Sequence, residues 1–218
     1  MKSDLINTGS LKGVNLLITA GPTWVPIDDV RVISNISSAE TGILLAKGLA
    51  RKKAKVTLFL GPARKSLTGK NIRLAHFVFF DELRQSLIKE LKSHKYRFII
   101  HSAAVSDFRP ASYVKGKISS RNKPVILKLM PLPKIVDDIR RLAPGAFLII
   151  FKLEAASDSQ LIDRARKSLY KHNAQLVIAN RLKPGYKAYI LNKNKILASA
   201  ANKKILATKL INLLSKVD

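Results

Sequence analysis

Four charged residues follow an apolar stretch in the middle of the chain. Residues 97–103 have the composition of a buried strand, and Asp107, Arg109, Lys115 and Lys117 come shortly after it. Open α/β sheets bind ligands beyond the carboxyl ends of their strands, where several loops meet. Cations and a carboxylate at such a position indicate a polyphosphate or nucleotide site. An enzyme is therefore the leading hypothesis.

The composition indicates one ordinary globular domain. The chain has 218 residues, of which 47% are hydrophobic, enough for one substantial core. We expect a short tail over residues 1–13 and a single domain over residues 14–218. No apolar run approaches the roughly 20 residues that cross a bilayer, and the N-terminus lacks the apolar stretch of a secretory signal. We therefore expect a cytoplasmic protein that does not enter the membrane.

Side chains that could bind a metal directly are scarce. The chain contains no cysteine, which excludes disulfides, thiolate metal ligands and a cysteine nucleophile within it. Its four histidines have no metal-ligand spacing. The sequence therefore predicts no protein-bound metal centre.

The chain is strongly basic. Forty lysines and arginines against fourteen aspartates and glutamates give a formal charge of +26, which attracts polyanions such as nucleic acids and nucleoside triphosphates. The basic residues are spread along the whole chain, and aromatic residues make up only 6%. This pattern disfavours nucleic acid as the partner. Most of the charge is expected to lie on the solvated surface.

Predicted strands and predicted helices alternate along the chain, and these elements must position the charged residues. Strands are predicted over residues 14–19, 55–60, 72–80, 97–103, 125–130, 147–153 and 175–179. Helices are predicted over residues 39–51, 81–94, 133–142, 158–171 and 202–214. A hairpin is predicted from residues 186–191 and 195–199.

This alternation implies right-handed βαβ units. The predicted fold is α/β, a Rossmann-like three-layer arrangement with a mainly parallel central sheet and a flap and hairpin extension. Asp81 is expected to cap the second helix, Pro133 to open the third, and Ser157 or Asp158 to cap the fourth. Residues 107–123 show no apolar periodicity, which is typical of a functional flap or a disordered loop.

Familiar phosphate-binding loops are absent from the sequence. The turn Gly21-Pro22-Thr23 is not the G-x-G-x-x-G of dinucleotide-binding proteins, and the chain has no G-x-x-x-x-G-K-[ST]. Residues 34–38 instead lead into the first helix, whose first amide groups can hold an anion. The alternative is that Ser37 or Ser38 is an ordinary N-cap.

Several short motifs, in order, resemble phosphopantothenoylcysteine synthetase, also called phosphopantothenate–cysteine ligase. They are LITAGPT at 17–23, PIDDVRVISNISS at 26–38, AAVSDFRP at 103–110, GKI at 116–118, FKLE at 151–154 and VIAN at 177–180. The resemblance covers roughly residues 14–214. Many bacterial relatives carry an N-terminal flavin-dependent decarboxylase, which we expect here to be a separate protein or absent.

The resemblance implies a ligase of coenzyme A biosynthesis. The carboxylate of 4'-phosphopantothenate attacks a nucleoside triphosphate and gives an acyl-nucleotide, acyl-CMP when CTP is used, with release of pyrophosphate. The amine of L-cysteine then displaces the nucleotide. Lysines and Mg²⁺ must offset the repulsion between the carboxylate and the triphosphate. Relatives of this type are usually homodimers.

The resemblance also implies roles for individual residues. The catalytic residues would be Asn35, Lys117 and Arg31. The nucleotide would be bound by Ser102, Ala103, Asp107, Lys117, Pro133, Ile135, Phe151, Lys167 and Lys171. The substrate phosphate would be bound by Ser37, Ser38 and Gly42.

Each role has a structural alternative. Phe151 could belong to the core, Lys167 and Lys171 could be solvated helix charges, and Arg31 could form an ion pair with Asp107. Two other functions also fit the sequence: a synthetase-like protein that binds nucleotide without turnover, and a basic nucleic-acid-binding module.

Two departures from the family pattern bear on activity. Ala39 replaces the family's glycine, and its methyl group could crowd a phosphate or resist a positive φ. The motif around Asp107 favours CTP, whereas Ser119-Ser120 resembles the flap of ATP-dependent relatives. We expect CTP because Asp107 lies in the bacterial pattern.

Overall fold

The computed structural model describes residues 10–63, 67–119 and 124–217, in which eight strands form one central sheet. All strands, in chain order, are β1 Asn15–Ala20, β2 Trp24–Pro26, β3 Val32–Ser34, β4 Lys55–Leu60, β5 Ile72–His76, β6 Phe98–His101, β7 Phe108–Pro110, β8 Leu129–Pro131, β9 Phe147–Leu153, β10 Leu176–Arg181, β11 Lys187–Leu191 and β12 Ile196–Ala200. The order across the central sheet is β12-β11-β10-β9-β6-β1-β4-β5. The six strands from β10 to β5 are parallel. Strand β11 runs in the opposite direction and pairs antiparallel with β10 on one side and β12 on the other.

Five helices cover the two faces of this sheet. They are α1 Glu40–Arg51, α2 Phe80–Ser93, α3 Ile135–Leu142, α4 Asp158–Lys171 and α5 Lys203–Leu214. The apolar sides of α1 and α5 share one core cluster, and those of α2, α3 and α4 share a second cluster on the opposite face. A parallel strand can follow another only if the chain crosses back over a face of the sheet, and here helices make these crossovers. The helices therefore cover both faces of the sheet. The predicted three-layer α/β fold with a mainly parallel sheet is confirmed.

Two short hairpins stand apart from the central sheet. Strands β2 and β3 pair with each other, and β7 pairs with β8. The structure therefore places a strand inside the predicted aperiodic segment 107–123. It also corrects the predicted strand 125–130, since only Leu129–Pro131 pairs. Strands of three residues are too short to show a clear alternation of apolar and polar positions.

The second helix begins differently from its prediction. The strand predicted over 72–80 ends at His76, and α2 starts at Phe80 with Phe79 as its N-cap. Asp81 is therefore not the cap, which corrects the prediction. The carboxylate of Glu82 instead accepts hydrogen bonds from the amides of Val78 at 2.8 Å and Phe79 at 3.1 Å.

The other predicted helix starts lie close to the observed ones. The third helix begins at Ile135, two residues after Pro133. Ser157, one of the two predicted caps, is the N-cap of α4, and its hydroxyl accepts a hydrogen bond from the amide of Gln160 at 3.4 Å. The predicted tail lies mostly outside the described residues, which begin at Ser10. Within the described ranges, no helix is long and apolar enough to cross a membrane.

Candidate active site

The segments that follow β1 and β6 lie side by side at the carboxyl edge of the sheet. The amide of Ser102 donates to the carbonyl of Thr19 at 3.1 Å, and the amide of Ala104 donates to the carbonyl of Gly21 at 2.9 Å. The hydroxyl of Ser102 also donates to the Thr19 carbonyl, at 2.7 Å. Residues 102–106 are thereby fixed beside the first turn of the chain.

Asn35 contacts this same segment from the end of the β2–β3 hairpin. Its Nδ2 group donates to the carbonyl oxygens of Val105 at 2.9 Å and Ala104 at 3.3 Å. Asn35 is otherwise exposed. The structure therefore places Asn35 against the segment that also carries Ser102 and Ala103.

A buried aspartate in the β2–β3 loop anchors the flap, the segment that contains Gly116, Lys117 and Ile118. Asp28 is only 2% exposed, and its carboxylate accepts hydrogen bonds from the amides of Arg31 at 2.7 Å, Val30 at 2.9 Å and Ile118 at 3.0 Å. Burial opposes ionisation of Asp28, but the hydrogen bonds from Ile118, Val30 and Arg31 outweigh it and lower the pKa. A permanently charged Asp28 therefore fixes the flap residue Ile118 to the β2–β3 loop.

Arg31 strengthens the same connection. Its guanidinium donates to the carbonyl oxygen of Ile118 at 3.0 Å and lies 3.4 Å from the carboxylate of Asp28. The predicted alternative, an ion pair between Arg31 and Asp107, is wrong, because Asp107 pairs with Lys134. In this chain Arg31 positions the flap.

Lys117 lies between two anchored residues of the flap. On one side, the amide of Gly116 donates to the carboxylate of Asp29 at 2.7 Å, and on the other Ile118 is held by Asp28. The side chain of Lys117 is exposed and has no hydrogen bond or ion pair among the described residues. A fixed backbone thus presents a free ammonium group. Ser120, the second serine of the flap pattern, lies outside the described residues.

The start of α1 has an unusual backbone. Ala39 is the N-cap, with φ 58°, and no side chain caps the helix. The predicted alternative of a Ser37 or Ser38 cap is therefore wrong. The hydroxyl of Ser37 accepts a hydrogen bond from the amide of Ala39 at 3.3 Å, one residue before the helix. A left-handed φ favours glycine, and this explains why glycine suits this position of the motif.

Gly42 is required for the close packing of α1 against the end of β1. A Cβ atom at Gly42 would lie 2.4 Å from the Cβ of Ala20 and 3.1 Å from the hydroxyl of Ser102. Both neighbours are fixed, so α1 would have to move. The first turn of α1 is thereby held beside the segment that carries Ala103.

Gly42→Ala should therefore destabilise the protein and displace the start of α1. We expect the free energy of unfolding to fall by about 1–3 kcal/mol, the usual cost of overpacking. Chemical denaturation measures this change. Gly145→Ala is the matched control, since its added Cβ would meet nothing within 4 Å. Equal stability of the two variants would contradict the packing role.

The predicted nucleotide residues separate into two groups. Asp107 is exposed, pairs with Lys134, and its carbonyl accepts a hydrogen bond from the amide of Leu132 at 2.8 Å, which places Pro133 beside it. Ile135, in contrast, is 2% exposed and lies in the core. Phe151 is half-buried against the α1–α5 core cluster, as its structural alternative predicts.

Lys167 and Lys171 lie one helical turn apart near the end of α4. Both side chains are exposed, and neither has a hydrogen bond or ion pair among the residues the structure describes. The next residue, His172, contacts Asp137 of α3 through Nδ1 and Oδ1 at 2.7 Å. This contact joins the lysine-bearing end of α4 to the helix that follows Pro133.

Residues 11–216 match the family described as the DNA/pantothenate metabolism flavoprotein C-terminal domain. The chain belongs to this family. It is 38% identical over 175 residues to the coenzyme A biosynthesis bifunctional protein CoaBC of Thermococcus kodakarensis, covering 80% of this chain and 43% of that protein. It is 31% identical over 217 residues to CoaBC of Methanocaldococcus jannaschii, covering 94% and 51%. The chain thus spans about half the length of these curated relatives.

Solved structures share the fold of this family member. The DNA/pantothenate metabolism flavoprotein from Streptococcus pneumoniae is 28% identical with a TM-score of 0.82, covering 93% of this chain and 98% of that one. The C-terminal domain of a CoaBC protein is 23% identical with a TM-score of 0.78, covering 95% and 96%. A Cab2 mutant in complex with phosphopantothenate-cysteine is 20% identical with a TM-score of 0.75, covering 95% and 87%.

Within the family fold, a lysine that the sequence did not single out lies at the start of α1. The ammonium group of Lys203 is 2.9 Å from the carboxylate of Glu40 and donates to the hydroxyl of Ser38 at 3.3 Å. Lys203 begins α5, more than 160 residues away in sequence. Only the packing of α5 against α1 brings it there, and no local pattern could have revealed it.

His101 also lies at the carboxyl edge, where its Nδ1 is 2.9 Å from the hydroxyl of Thr19. Burial and the nearby His172 lower the pKa of His101 to about 4, from an ordinary value of 6.5. Between these values the unfolded chain binds a proton that the folded chain does not. The folded state should therefore lose stability as the pH falls from about 6.5 to about 4.

His101→Gln should flatten that part of the stability profile. Chemical denaturation at a series of pH values measures it, with the exposed His76→Gln as the control that keeps the wild-type profile. A His101→Gln profile as steep as that of the wild type would show that other groups cause the loss.

Proposed function

We propose that this chain is a phosphopantothenate–cysteine ligase, which joins 4'-phosphopantothenate and L-cysteine with the consumption of a nucleoside triphosphate. The observation that carries the proposal is the meeting of three segments at the carboxyl edge. The β2–β3 hairpin supplies Asn35, the flap supplies Lys117, and the segment after β6 supplies Asp107. Membership of a family whose curated relatives are named for coenzyme A biosynthesis supports it.

In the first half-reaction, an oxygen of the substrate carboxylate attacks the α-phosphorus of the nucleotide. A bond forms between that oxygen and phosphorus, the bond to the β-phosphate bridge breaks, and pyrophosphate leaves. Negative charge accumulates on the phosphoryl oxygens as this happens. The ammonium group of Lys117 stabilises that charge most strongly in the transition state, and the anchored backbone on either side of Lys117 keeps this cation on the flap.

Magnesium fits this chemistry as an ion that binds together with the nucleotide. The described residues contain no group of three histidine, cysteine, aspartate or glutamate side chains that could hold a metal. Mg²⁺ commonly binds through substrate phosphates and water with one or two carboxylates. When bound, the ion would neutralise phosphate charge.

In the second half-reaction, the amine of cysteine attacks the activated acyl carbon and the nucleotide leaves. The amide bond forms as the bond between the acyl carbon and the nucleotide oxygen breaks, and the proton of the amine passes to water. Asn35 holds the backbone of Ala104 and Val105 in place through its Nδ2 group. Its amide oxygen is then left as an acceptor for the incoming ammonium or amine.

We propose CTP as the nucleotide. The carboxylate of Asp107 is exposed beside Pro133 and can accept a hydrogen bond from the exocyclic amine of cytosine. Lys134 balances its charge in the free chain. Adenine carries an exocyclic amine too, so product formation with CTP and with ATP, measured separately, tests this choice.

The phosphate of phosphopantothenate is proposed to bind at the start of α1. The first-turn amides of a helix lack partners within it and favour an anion. Ser37 and Ser38 lie there, and Lys203 can exchange its contact with Glu40 for a phosphate oxygen. These hydroxyl, ammonium and amide donors would distinguish phosphopantothenate from pantothenate.

We also propose that the chain forms a homodimer through an arm, which consists of β7, β8 and the described residues between them. Apolar side chains are exposed on this arm: Phe108 by 51%, Val125 by 52% and Ile126 by 90%. Soluble proteins rarely expose several large apolar side chains along one segment without a partner surface. A second copy of the arm would bury them.

Ile126→Asp should accordingly shift the protein towards monomers, because a carboxylate would be buried in the interface. Sedimentation velocity over a range of concentrations measures this. Leu182→Asp, at an exposed position outside the arm, is the control that should remain dimeric. A monomeric wild-type protein would contradict the dimer without affecting the proposed reaction.

The test of the proposed function is product formation by the purified chain. Phosphopantothenate, cysteine, Mg²⁺ and each of the four ribonucleoside triphosphates are supplied in turn, and phosphopantothenoylcysteine and pyrophosphate are quantified. We expect both products with CTP. Absence of both products with all four nucleotides would overturn the proposal.

A further inference from the structure

A cavity lies at the opposite edge of the sheet from the candidate active site. It has a volume of about 570 Å³ and lies among the amino ends of β4 and β5 and the end of α2. Its chemically important lining residues are Lys55, Asn71, Arg73, His94, Lys95 and Tyr96. Lys55 is the first residue of β4, whereas the active site lies beyond the last residues of the parallel strands. The two sites are therefore separated by the length of the sheet.

A buried network gives this cavity a fixed wall. The carboxylate of Glu90, which is 9% exposed, accepts hydrogen bonds from Arg73 and from the hydroxyl of Tyr96. The same carboxylate lies 3.1 Å from Nδ1 of His94. The hydroxyl of Thr57 is 3.1 Å from that of Tyr96 and 3.2 Å from the guanidinium of Arg73. Arg73 and Tyr96 are thus held in place before any ligand arrives.

The charge around the cavity is not balanced. Lys55 on β4, Arg73 on β5 and Lys95 after α2 are cations, and His94 adds a fourth titratable nitrogen. Among the described residues, the nearby carboxylate is that of Glu90. It already forms ion pairs or hydrogen bonds with Arg73, Tyr96 and His94. Burial opposes its ionisation, but hydrogen bonds from Tyr96 and Arg73 outweigh burial and lower its pKa.

Two of the cations are available for a ligand. The ammonium groups of Lys55 and Lys95 have no ion pair or hydrogen bond within the part of the chain that the structure describes. The side-chain amide of Asn71 and the hydroxyl of Ser93 likewise have no partner there, and both line the cavity. Flexible ammonium groups beside a fixed guanidinium suit a ligand with several negatively charged oxygens.

We propose that this cavity is a second anion-binding site, which takes a small molecule with two or more linked phosphate groups. Its volume lies in the range of small-molecule sites. Three cations against one internally paired carboxylate favour a polyanion over a monoanion. Because the cavity is at the amino edge, such a ligand and the substrates of the proposed reaction can be bound at the same time.

The test uses inorganic tripolyphosphate and CTP as separate probes, followed by hydrogen–deuterium exchange and by titration calorimetry. We expect tripolyphosphate to protect residues 55–60, 71–76 and 90–97 in the wild-type protein. The double variant Lys55→Ala/Lys95→Ala should lose this protection and bind at the cavity about 10-fold to 100-fold more weakly, as expected for two lost charge-assisted contacts. Stronger protection by CTP than by tripolyphosphate would assign part of the affinity to the organic group, and equal protection would assign it to the phosphates alone.

The double variant Lys47→Ala/Lys195→Ala is the matched control. It removes the same charge from exposed positions outside the cavity and should bind like the wild type. Equal weakening in both double variants would show general attraction to a basic surface and would overturn the proposal. Protection confined to the carboxyl edge would also overturn it. Lys117→Gln, which is expected to fail in the ligase reaction, should retain cavity binding, so the two proposals can fail separately.

Discussion

Replacing Lys117 with glutamine should slow pyrophosphate release by about 100-fold or more, the usual effect of removing one preorganised group that stabilises transition-state charge. Glutamine keeps a polar, slightly shorter side chain but removes the positive charge. The flap should remain in place, since Asp28 and Asp29 hold it through the backbone amides of Ile118 and Gly116. The measurement is the rate of pyrophosphate release with CTP and phosphopantothenate under single-turnover conditions.

Lys115→Gln is the control for Lys117→Gln. Lys115 is exposed on the same flap and carries the same charge, two residues away. Its loss should change the rate by only a few-fold, through the general field of the protein. If both variants release pyrophosphate as fast as the wild type, Lys117 is not the residue that stabilises the departing charge.

The second large effect is expected from Asn35→Asp, which should allow the first half-reaction and block the second. Aspartate cannot donate the hydrogen bonds that Asn35 gives to the carbonyl oxygens of Ala104 and Val105. It would place a negative charge against these carbonyls and beside the acyl-nucleotide. We expect about one equivalent of pyrophosphate per site, a persistent acyl-nucleotide detectable by mass spectrometry, and at least about 100-fold slower formation of product.

Asn35→Ala separates the two causes of this block, which are the loss of the hydrogen bonds and the added negative charge. It removes the hydrogen bonds without adding charge, and the acyl-nucleotide should then persist for a shorter time than in Asn35→Asp. Product formation by Asn35→Asp at the wild-type rate would remove Asn35 from the second half-reaction.

The central sheet and its helices were predictable because their residues are long apolar segments. Strands 55–60 and 147–153 were predicted with the bounds that the structure gives to β4 and β9. The hairpin β2–β3 could not be predicted in this way. Its strands have three residues each, and most of their side chains are at least partly exposed, so that neither periodicity nor hydrophobicity distinguishes them.

The candidate site was only partly predictable for a related reason. Motifs identify Asn35, Asp107 and Lys117 because each lies in a recognisable local pattern. Asp28 and Lys203 act through contacts between distant segments. Asp28 anchors Ile118, 90 residues away, and Lys203 reaches Glu40, 163 residues away. Such contacts depend on how the layers pack, which no single segment encodes.

The sequence pattern identifies Ala39 as a departure from the family's glycine but does not give its backbone conformation. Ala39 adopts a left-handed φ of 58° while its side chain is buried. The fold therefore accommodates alanine at some conformational cost.

The most direct test of the proposed function is a single-turnover reaction with CTP, phosphopantothenate and Mg²⁺ in the absence of cysteine. If the carboxylate is activated by the nucleotide before cysteine enters, about one pyrophosphate per active site should be released and an acyl-nucleotide of the corresponding mass should form. Added cysteine should then convert that species to phosphopantothenoylcysteine. Binding of CTP without any pyrophosphate release, before or after cysteine is added, would contradict the account and identify a nucleotide-binding protein without turnover.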